Sequence, residues 1–269
     1  MTYYEKYEHA TGRIAPPDAW RLESLFNQIE SRQLLPPRGQ QAVNLGLPAH
    51  SLNDSTANPS LYNYYQWVLR HYFKNQTLNE LTAKLIGMAF VCNHIFKTDL
   101  PQPLSLNPWQ RDQMLDYPLA TDRAVIVENN GIFALLATQH PNWSLINQGG
   151  NDFQTDYVTL MQRLEARGIR FTYLGDLDAK GIQIADTLFC QLKETSIEDF
   201  LALQTESRVS EWLTLMGHPS VKRTKRLMVK TPALQKQMTA ISIFGKYVEQ
   251  EQLMPIYETL ISEWLNSED

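Results

Sequence analysis

The sequence predicts an α/β fold, in which a parallel sheet is flanked by helices and preceded by a mainly helical N-terminal region. Three short apolar runs alternate with two helical patterns between residues 122 and 186. This alternation is typical of βαβ units, whose strands lie parallel in one sheet. Ten of the fourteen prolines precede residue 120, and six of the twelve glycines lie between 131 and 181. The change of composition predicts two regions, residues 1–119 and 120–269.

Three helical patterns are expected in the first region. Apolar residues recur at helical spacing over 18–32, 60–73 and 79–95, and Asp18 is the expected N-cap of the first helix. A proline-rich linker then leads to a short helix expected over 109–115.

The second region is expected to begin with strands and to end in helices. Glycines separate several of its elements, and Gly168 stands where a helix C-terminus favours glycine. We expect strands over 124–127, 143–146 and 169–174, and helices over 130–138, 157–164, 182–192, 206–216, 233–252 and 256–265.

Acidic residues directly follow two of the predicted strands. Glu128 comes after the run 124–127, and Asp176 and Asp178 follow the run 169–174. Ligands of open parallel sheets lie beyond the carboxyl ends of the strands, so we expect the three carboxylates to converge. Carboxylates this close repel one another unless a cation neutralises them, and hard oxygen ligands suit Mg²⁺ or Mn²⁺. The pattern therefore predicts a divalent-metal site suited to phosphodiester chemistry.

Further residues are candidates for contacts with phosphate or DNA. Gly149 and Gly150 follow the second predicted strand, where bare backbone can approach a phosphate; a tight turn is the ordinary alternative. Lys180 lies just beyond the acidic pair. A basic segment near the C-terminus contains no acid, and it is either a phosphate-binding surface or a solvated face. Its members are Lys222, Arg223, Lys225, Arg226 and Lys230.

The composition and charge of the chain argue against some classes of protein. The formal net charge of −5 argues against general electrostatic attraction to nucleic acid, so a local basic patch is required for such binding. Cys92 and Cys190 suggest no disulfide framework, and free thiols are typical of a reducing cytoplasm. The first 13 residues lack an apolar core, so we expect no signal peptide. The longest apolar stretches, such as 86–92, are too short to cross a bilayer.

The strand-end motifs resemble those of Toprim domains, which occur in topoisomerases, primases and related nucleases. The likeness extends to the C-terminal part of the JetD family, the topoisomerase VI A-like nuclease subunits of Wadjet plasmid-defence systems, and covers roughly residues 120–265. Lys180 departs from that pattern, which has histidine at this position. The matching positions are Glu128-Asn129, Gly149-Gly150, Gly175-Asp176-x-Asp178 with Gly181, and Glu249-Gln250-Glu251.

This resemblance implies a Rossmannoid, Toprim-like catalytic domain and Mg²⁺-dependent cleavage of DNA. Asp176, Asp178 and Glu128 would hold Mg²⁺ or Mn²⁺, and Glu128 is also a candidate general acid or base. Glu249 and Glu251 either line the site or bond to neighbouring helices. The partners expected are DNA, an SMC-type complex and a second copy of the chain, in plasmid defence, phage defence or DNA maintenance.

Other functions fit parts of the same pattern. One alternative is a non-cleaving DNA-binding or scaffold subunit of an SMC-type complex. Another is a haloacid-dehalogenase-like phosphatase, which also places Asp-x-Asp after a strand but has threonine or valine where Lys180 stands. The nucleophile is expected to be water, because Tyr62, Tyr64 and Tyr65 lie at a spacing more typical of a helix core than of catalysis.

Overall fold

A computed structural model describes residues 1–74, 78–81, 90–107, 110–149 and 153–267 of the chain. The chain divides into two compact units, Met1–Ala83 and Lys84–Asp269. This division lies earlier than the change of composition near residue 120, because two strands before that residue pair with the sheet of the second unit. Among the helices of the described residues, none combines the length and the apolar character required to cross a membrane.

The first unit is helical and packs around an aromatic core. Its centre contains Phe26, Tyr64 and Tyr65, which are at most 1% exposed. A 3₁₀ turn at Ala19–Leu22 replaces the first part of the helix expected over 18–32, and the Asp18 side chain forms no cap hydrogen bond. The helices are α1 (Tyr3–Thr11), α2 (Glu23–Glu30), α3 (Arg38–Asn44) and α4 (Pro59–Tyr72).

The second unit is a mixed α/β structure, as the sequence predicts. Its strands are β1 (Phe90–Asn93), β2 (Leu104–Leu106), β3 (Arg123–Val127), β4 (Leu145–Asn147), β5 (Arg170–Leu174), β6 (His218–Pro219) and β7 (Lys246–Tyr247). Its helices are α5 (Arg111–Met114), α6 (Asn130–Gln139), α7 (Thr155–Ala166), α8 (Ala179–Phe189), α9 (Ile197–Phe200), α10 (Glu206–Met216), α11 (Pro232–Phe244) and α12 (Gln250–Asn266).

Five strands form the main sheet in the order β2-β1-β4-β3-β5. Strands β4, β3 and β5 are parallel, whereas β1 runs antiparallel to both of its neighbours. The prediction of one helix over 79–95 is wrong at both of its described ends, because Glu80 forms an extended bridge with Leu35 and Phe90–Asn93 forms the buried strand β1. Aromatic and β-branched residues there favour a strand, and pairing with β4 decides the outcome. Residues 82–89 of that predicted helix lie outside the described residues.

The register of the parallel strands brings their carboxyl ends to one edge. Val127, the last residue of β3, pairs with Asn147 of β4 and with Leu174 of β5. The residue after each strand therefore lies at the same edge of the sheet, beside its neighbours. All five residues of β3 are buried, and this strand lies between β4 and β5, so Glu128 directly follows a buried strand of the sheet.

The C-terminal helices differ from the two expected over 233–252 and 256–265. Helix α11 ends at Gly245, whose φ of 61° is left-handed and favours glycine as the C-cap. Helix α12 begins at Gln250 and continues through Pro255, which removes one intrahelical hydrogen bond without ending the helix. The earlier start of α12 places Glu249 and Glu251 at its N-terminus, next to the acidic strand ends.

Candidate functional site

Glu128 lies directly after β3 and contacts the end of β5. Its Oε2 atom accepts hydrogen bonds from the Tyr173 hydroxyl and from the backbone N–H of Asp176, each at 3.2 Å. A Cβ atom at Gly175 would lie 2.5 Å from this same Oε2 atom. The absence of a side chain at Gly175 therefore allows the Glu128 carboxylate to reach the turn that carries Asp176.

Asp176 and Asp178 lie on the tight connection between β5 and α8. Asp178 is the N-cap of α8, and its Oδ1 atom accepts a 2.7 Å hydrogen bond from the N–H of Gly181. The Oδ1 atom of Asp176 accepts a 3.1 Å hydrogen bond from the backbone N–H of Gln250 at the start of α12. Each aspartate is thus fixed through one oxygen by a backbone donor, which leaves its second oxygen for another partner.

Arg223 is that partner. Its guanidinium donates to Oδ2 of Asp178 at 2.7 Å, to Oε1 of Glu249 at 2.5 Å and to Oδ2 of Asp176 at 3.2 Å. The guanidinium carbon lies 3.9 Å from the centre of the Tyr247 ring. From the sequence, Arg223 is expected to belong either to a phosphate-binding surface or to a solvated face, but in the structure its guanidinium bonds to the acids. Three carboxylates and an aromatic face hold the side chain within the acidic site instead.

The N-terminus of α12 contributes residues that the strand pattern could not identify. Glu249 joins the site through Arg223, and the Asn129 side chain donates a 3.0 Å hydrogen bond to Glu251. The two alternatives for these glutamates are therefore both realised, because Glu249 lines the site and Glu251 bonds to the cap residue of α6. Their only signal in the sequence is the Glu-Gln-Glu match to the JetD pattern.

Burial and mutual repulsion raise the pKa values of Glu128 and Asp176. Burial raises the pKa of Glu128 to about 7, and the negative charge of Asp178 adds to the effect, while the hydrogen bonds from Asp176 and Tyr173 oppose it. Burial also raises the pKa of Asp176 well above its usual value, with further repulsion from Glu128 and Glu251 and an opposing attraction to Arg223. The site therefore carries more negative charge than its environment stabilises, which favours the binding of a proton or a cation.

A divalent cation fits this donor set by its chemistry. Carboxylate oxygens from Glu128, Asp176 and Asp178 are ligands that Mg²⁺ and Mn²⁺ prefer. Within the described residues, however, no group of three or more His, Cys, Asp or Glu side chains is arranged so that it could hold a metal ion. The guanidinium of Arg223 takes up the oxygens that such a metal would use. The three acids are suitable metal ligands, but the guanidinium of Arg223 already bonds to two of them, Asp176 and Asp178.

The other predicted phosphate contacts take no part in the hydrogen bonds of this cluster or lie outside the described residues. Gly149 has a φ of 83° and lies next to the side chains of Asn130 and Asn147, so it fits the tight turn that is the alternative to a phosphate contact. Gly150 is outside the described residues. Lys180 is exposed and donates to Gln183 at 3.3 Å. The remaining basic residues of the segment are also exposed; they are Lys222, Lys225, Arg226 and Lys230.

Two of the three tyrosines considered as nucleophiles, Tyr64 and Tyr65, are core residues, whereas Tyr62 is half-buried. Tyr64 and Tyr65 are at most 1% exposed. Burial raises the pKa of Tyr65 to about 12 and that of Tyr64 further, so neither phenol readily becomes a phenolate. This burial favours water over these residues as the attacking group.

The raised pKa of Glu128 predicts an unusual dependence of stability on pH. A carboxyl with a pKa near 7 in the folded state and 4.5 as its ordinary value binds more protons when folded, so stability falls as pH rises through this interval. Glu128→Gln keeps an oxygen for both hydrogen bonds and removes the charge. We expect urea unfolding to show the variant about 1–2 kcal/mol more stable than the wild type at pH 8, after allowance for solvent screening, and the gain to shrink at pH 5. Equal stabilities at pH 8 would contradict the raised pKa.

Comparison with known proteins gives one family. A comparison with curated proteins finds no significant match. The family described as "Protein of unknown function C-terminus (DUF2399)" matches residues 104–257. This segment includes Glu128, Asp176, Asp178, Arg223 and Glu249, and it covers more than half of the 269 residues. The chain therefore belongs to the DUF2399 C-terminal family.

Proposed function

We propose that this protein is a metal-dependent DNA endonuclease of the Toprim type, related in function to the JetD subunits of Wadjet plasmid-defence systems. The observation that carries the proposal is the contact between two strand ends. The Glu128 carboxylate bonds to the backbone of Asp176 at 3.2 Å, so acids separated by 48 residues share one edge of the sheet. The motif resemblance also supports the proposal, and the segment matched by the family includes all of these acids.

The residues have distinct roles in this proposal. Asp176 and Asp178, each fixed through one oxygen by the backbone, would hold Mg²⁺ or Mn²⁺ together with Glu128. The bound metal would stabilise the negative charge that develops on the scissile phosphate and activate a water molecule. Glu128, whose pKa is raised by burial to about 7 while no cation is bound, is the candidate general acid or base.

Binding of DNA by an acidic protein requires a local positive surface. Lys222, Lys225 and Arg226 are exposed and lie within three residues of Arg223, which contacts the acids. Phosphates bound by these side chains would lie near the acidic site, because the cations and Arg223 share one short loop. An SMC-type complex is the partner that the resemblance to JetD suggests.

A non-catalytic scaffold is the second candidate function, and the contacts of Arg223 favour it. An arginine that bonds to three carboxylates compensates their charge within the protein. Ion-pair networks with a purely structural role have the same arrangement, and such a network needs no metal. In this alternative the protein binds DNA or a partner subunit and leaves the phosphodiester backbone intact.

Cleavage of supercoiled plasmid distinguishes the two functions. We expect the wild type to nick plasmid DNA with Mn²⁺ or Mg²⁺ and to be inactive with EDTA. Asp176→Ala removes a metal ligand, and we expect it to reduce the nicking rate on the order of 10³-fold, equivalent to about 4 kcal/mol of lost transition-state stabilisation. The measurement is the initial rate of conversion from supercoiled to open-circular plasmid.

The matched control is Glu198→Ala, which removes an exposed acid of α9. We expect this variant to nick at the wild-type rate. DNA binding without nicking in either metal would support the scaffold function. Nicking that persists in Asp176→Ala, or in EDTA, would exclude the proposed metal site as its source.

A further inference from the structure

The carboxylate oxygens of the acidic site are divided between two kinds of partner. Backbone N–H groups of Gln250 and Gly181 bond to the Oδ1 atoms of Asp176 and Asp178. The Oδ2 atom of each aspartate bonds to Arg223 instead. The oxygens that the backbone leaves open for an external cation are therefore the same two oxygens that the guanidinium binds.

Glu249 strengthens the hold of Arg223 on this position. Its carboxylate is only 6% exposed, and it accepts from Nη1 at 2.5 Å while Nε and Nη2 bind the aspartates. The three nitrogens of the guanidinium thus each bond to a different carboxylate. The planar guanidinium has the shape and charge for this arrangement, whereas a lysine ammonium would provide a single point charge.

The segment that carries Arg223 is a loop, residues 220–231, between β6 and α11. The loop contains no helix or strand, and two backbone contacts fix the position of Arg223. Its carbonyl accepts a 2.9 Å hydrogen bond from Ala179, and its N–H donates to the Ser220 hydroxyl at 3.3 Å. Rotation of the Arg223 side chain away from the aspartates would leave these backbone bonds in place.

We infer that Arg223 and a divalent cation compete for the Oδ2 atoms of Asp176 and Asp178. Arg223 is the resident counter-ion of these aspartates, and metal binding requires its withdrawal. The two cations cannot share these oxygens without strong repulsion between their charges. The inference rests on the proposed function for the identity of the metal, and it adds that the protein's own arginine weakens metal binding and delays it until the side chain moves.

Direct measurement of Mn²⁺ binding tests this competition. Titration of free Mn²⁺ by electron paramagnetic resonance would give the dissociation constant for the wild type and for Arg223→Gln, both as full-length protein. We expect Arg223→Gln to bind Mn²⁺ about 10-fold more tightly, in the range usual for a coupling between two ligands. Adding Asp176→Ala to this variant should abolish the gain. Arg13→Gln, at an exposed cation of the first unit, should leave the affinity unchanged.

Thermal unfolding shows whether a change in Mn²⁺ binding arises from poor folding of the variant. In EDTA, Arg223→Gln should unfold at a lower temperature than the wild type, and saturating Mn²⁺ should raise its Tm by about 5 °C. The wild type should gain less, because Mn²⁺ must first displace the arginine. Arg223→Lys keeps a positive charge, but its single ammonium nitrogen cannot reproduce the planar arrangement in which three guanidinium nitrogens each bond to a different carboxylate. We therefore expect its Mn²⁺ affinity to lie between those of the wild type and Arg223→Gln.

The outcomes separate this inference from the nuclease proposal. If the wild type binds Mn²⁺ and nicks DNA, and neither Arg223 variant binds more tightly, competition is excluded and the nuclease function stands. If Arg223→Gln binds Mn²⁺ more tightly but neither protein nicks DNA, competition holds and the nuclease function is excluded. If none of the proteins binds Mn²⁺, both are excluded.

Discussion

Gly181→Ala is expected to lower the free energy of unfolding by about 2–3 kcal/mol, although it places alanine inside a helix. A Cβ atom at this position would lie 2.2 Å from the backbone carbonyl oxygen of Asp176 and 3.0 Å from its carbon. Because the obstacle is backbone, no side-chain rotation relieves the clash. Alanine normally stabilises a helix interior by about 1 kcal/mol relative to glycine, so a net loss here would show that the steric conflict costs more than this gain.

The same substitution should alter the acidic site. Relief of the clash requires α8 to move away from the turn that carries Asp176, and Asp178 caps that helix through the N–H of Gly181. Urea unfolding gives the loss of stability, and plasmid nicking gives the loss of function. Gly168→Ala is the control, since Gly168 has a φ of 93° but a Cβ atom placed there would meet no heavy atom within 4 Å. We expect it to cost about 1 kcal/mol from backbone strain and to leave nicking unchanged. A Gly181→Ala variant more stable than the control would contradict the assigned contact.

The βαβ region is predictable from sequence because its signals are local. The apolar run and the acid that follows it are adjacent in the chain for both β3 and β5, and the periodicity of α7 and α10 is strong. Strand β1 is not predictable in the same way. Its four residues follow a helical pattern in sequence, and their extended conformation depends on pairing with β4, more than 50 residues later. Helix α1 is not expected from the sequence because the segment is polar and only Tyr3 is fully buried.

Part of the candidate site could likewise be predicted from the sequence, and part could not. The convergence of Glu128 and Asp176 follows from the rule that parallel strands end at one edge, so it could be expected from sequence. The position of Arg223 could not. In the sequence it is one of several cations in a basic run, and nothing local separates it from Lys222 or Lys225. Only the folded chain shows that this one side chain turns towards three acids that lie 26 to 47 residues away.

Arg223→Gln is expected to destabilise the protein by about 2–3 kcal/mol at pH 8 in the absence of metal. Removing one partner of a buried ion pair costs about 3–5 kcal/mol, and the partial exposure of these side chains reduces that value. Arg223 is 24% exposed, whereas Asp178 and Glu249 are only 10% and 6% exposed. The cost arises because carboxylates that the arginine compensates in the wild type would face one another without a cation.

The loss should depend on pH in a direction that identifies its cause. The pKa of Asp176 is already raised by burial and by repulsion from Glu128 and Glu251, and loss of Arg223 would raise it further. A carboxyl whose folded-state pKa is raised contributes stability at low pH that is lost as the pH rises through that pKa. The difference between wild type and variant should therefore be largest at pH 8 and shrink as the pH falls towards 5, because protonation of the raised carboxyls removes the charge that Arg223 balances in the wild type.

The control for this effect is an exposed ion pair elsewhere in the same unit. Arg163 bonds to Asp116 at 3.0 Å, and their side chains are 51% and 78% exposed. Arg163→Gln should change the free energy of unfolding by less than about 1 kcal/mol at either pH, as is usual for surface pairs. If Arg223→Gln destabilised the protein equally at pH 5 and pH 8, lost packing against Tyr247 would explain the effect better than unbalanced charge. The acids would then not depend on Arg223 for their compensation, and the case for competition with a metal would lose its electrostatic basis.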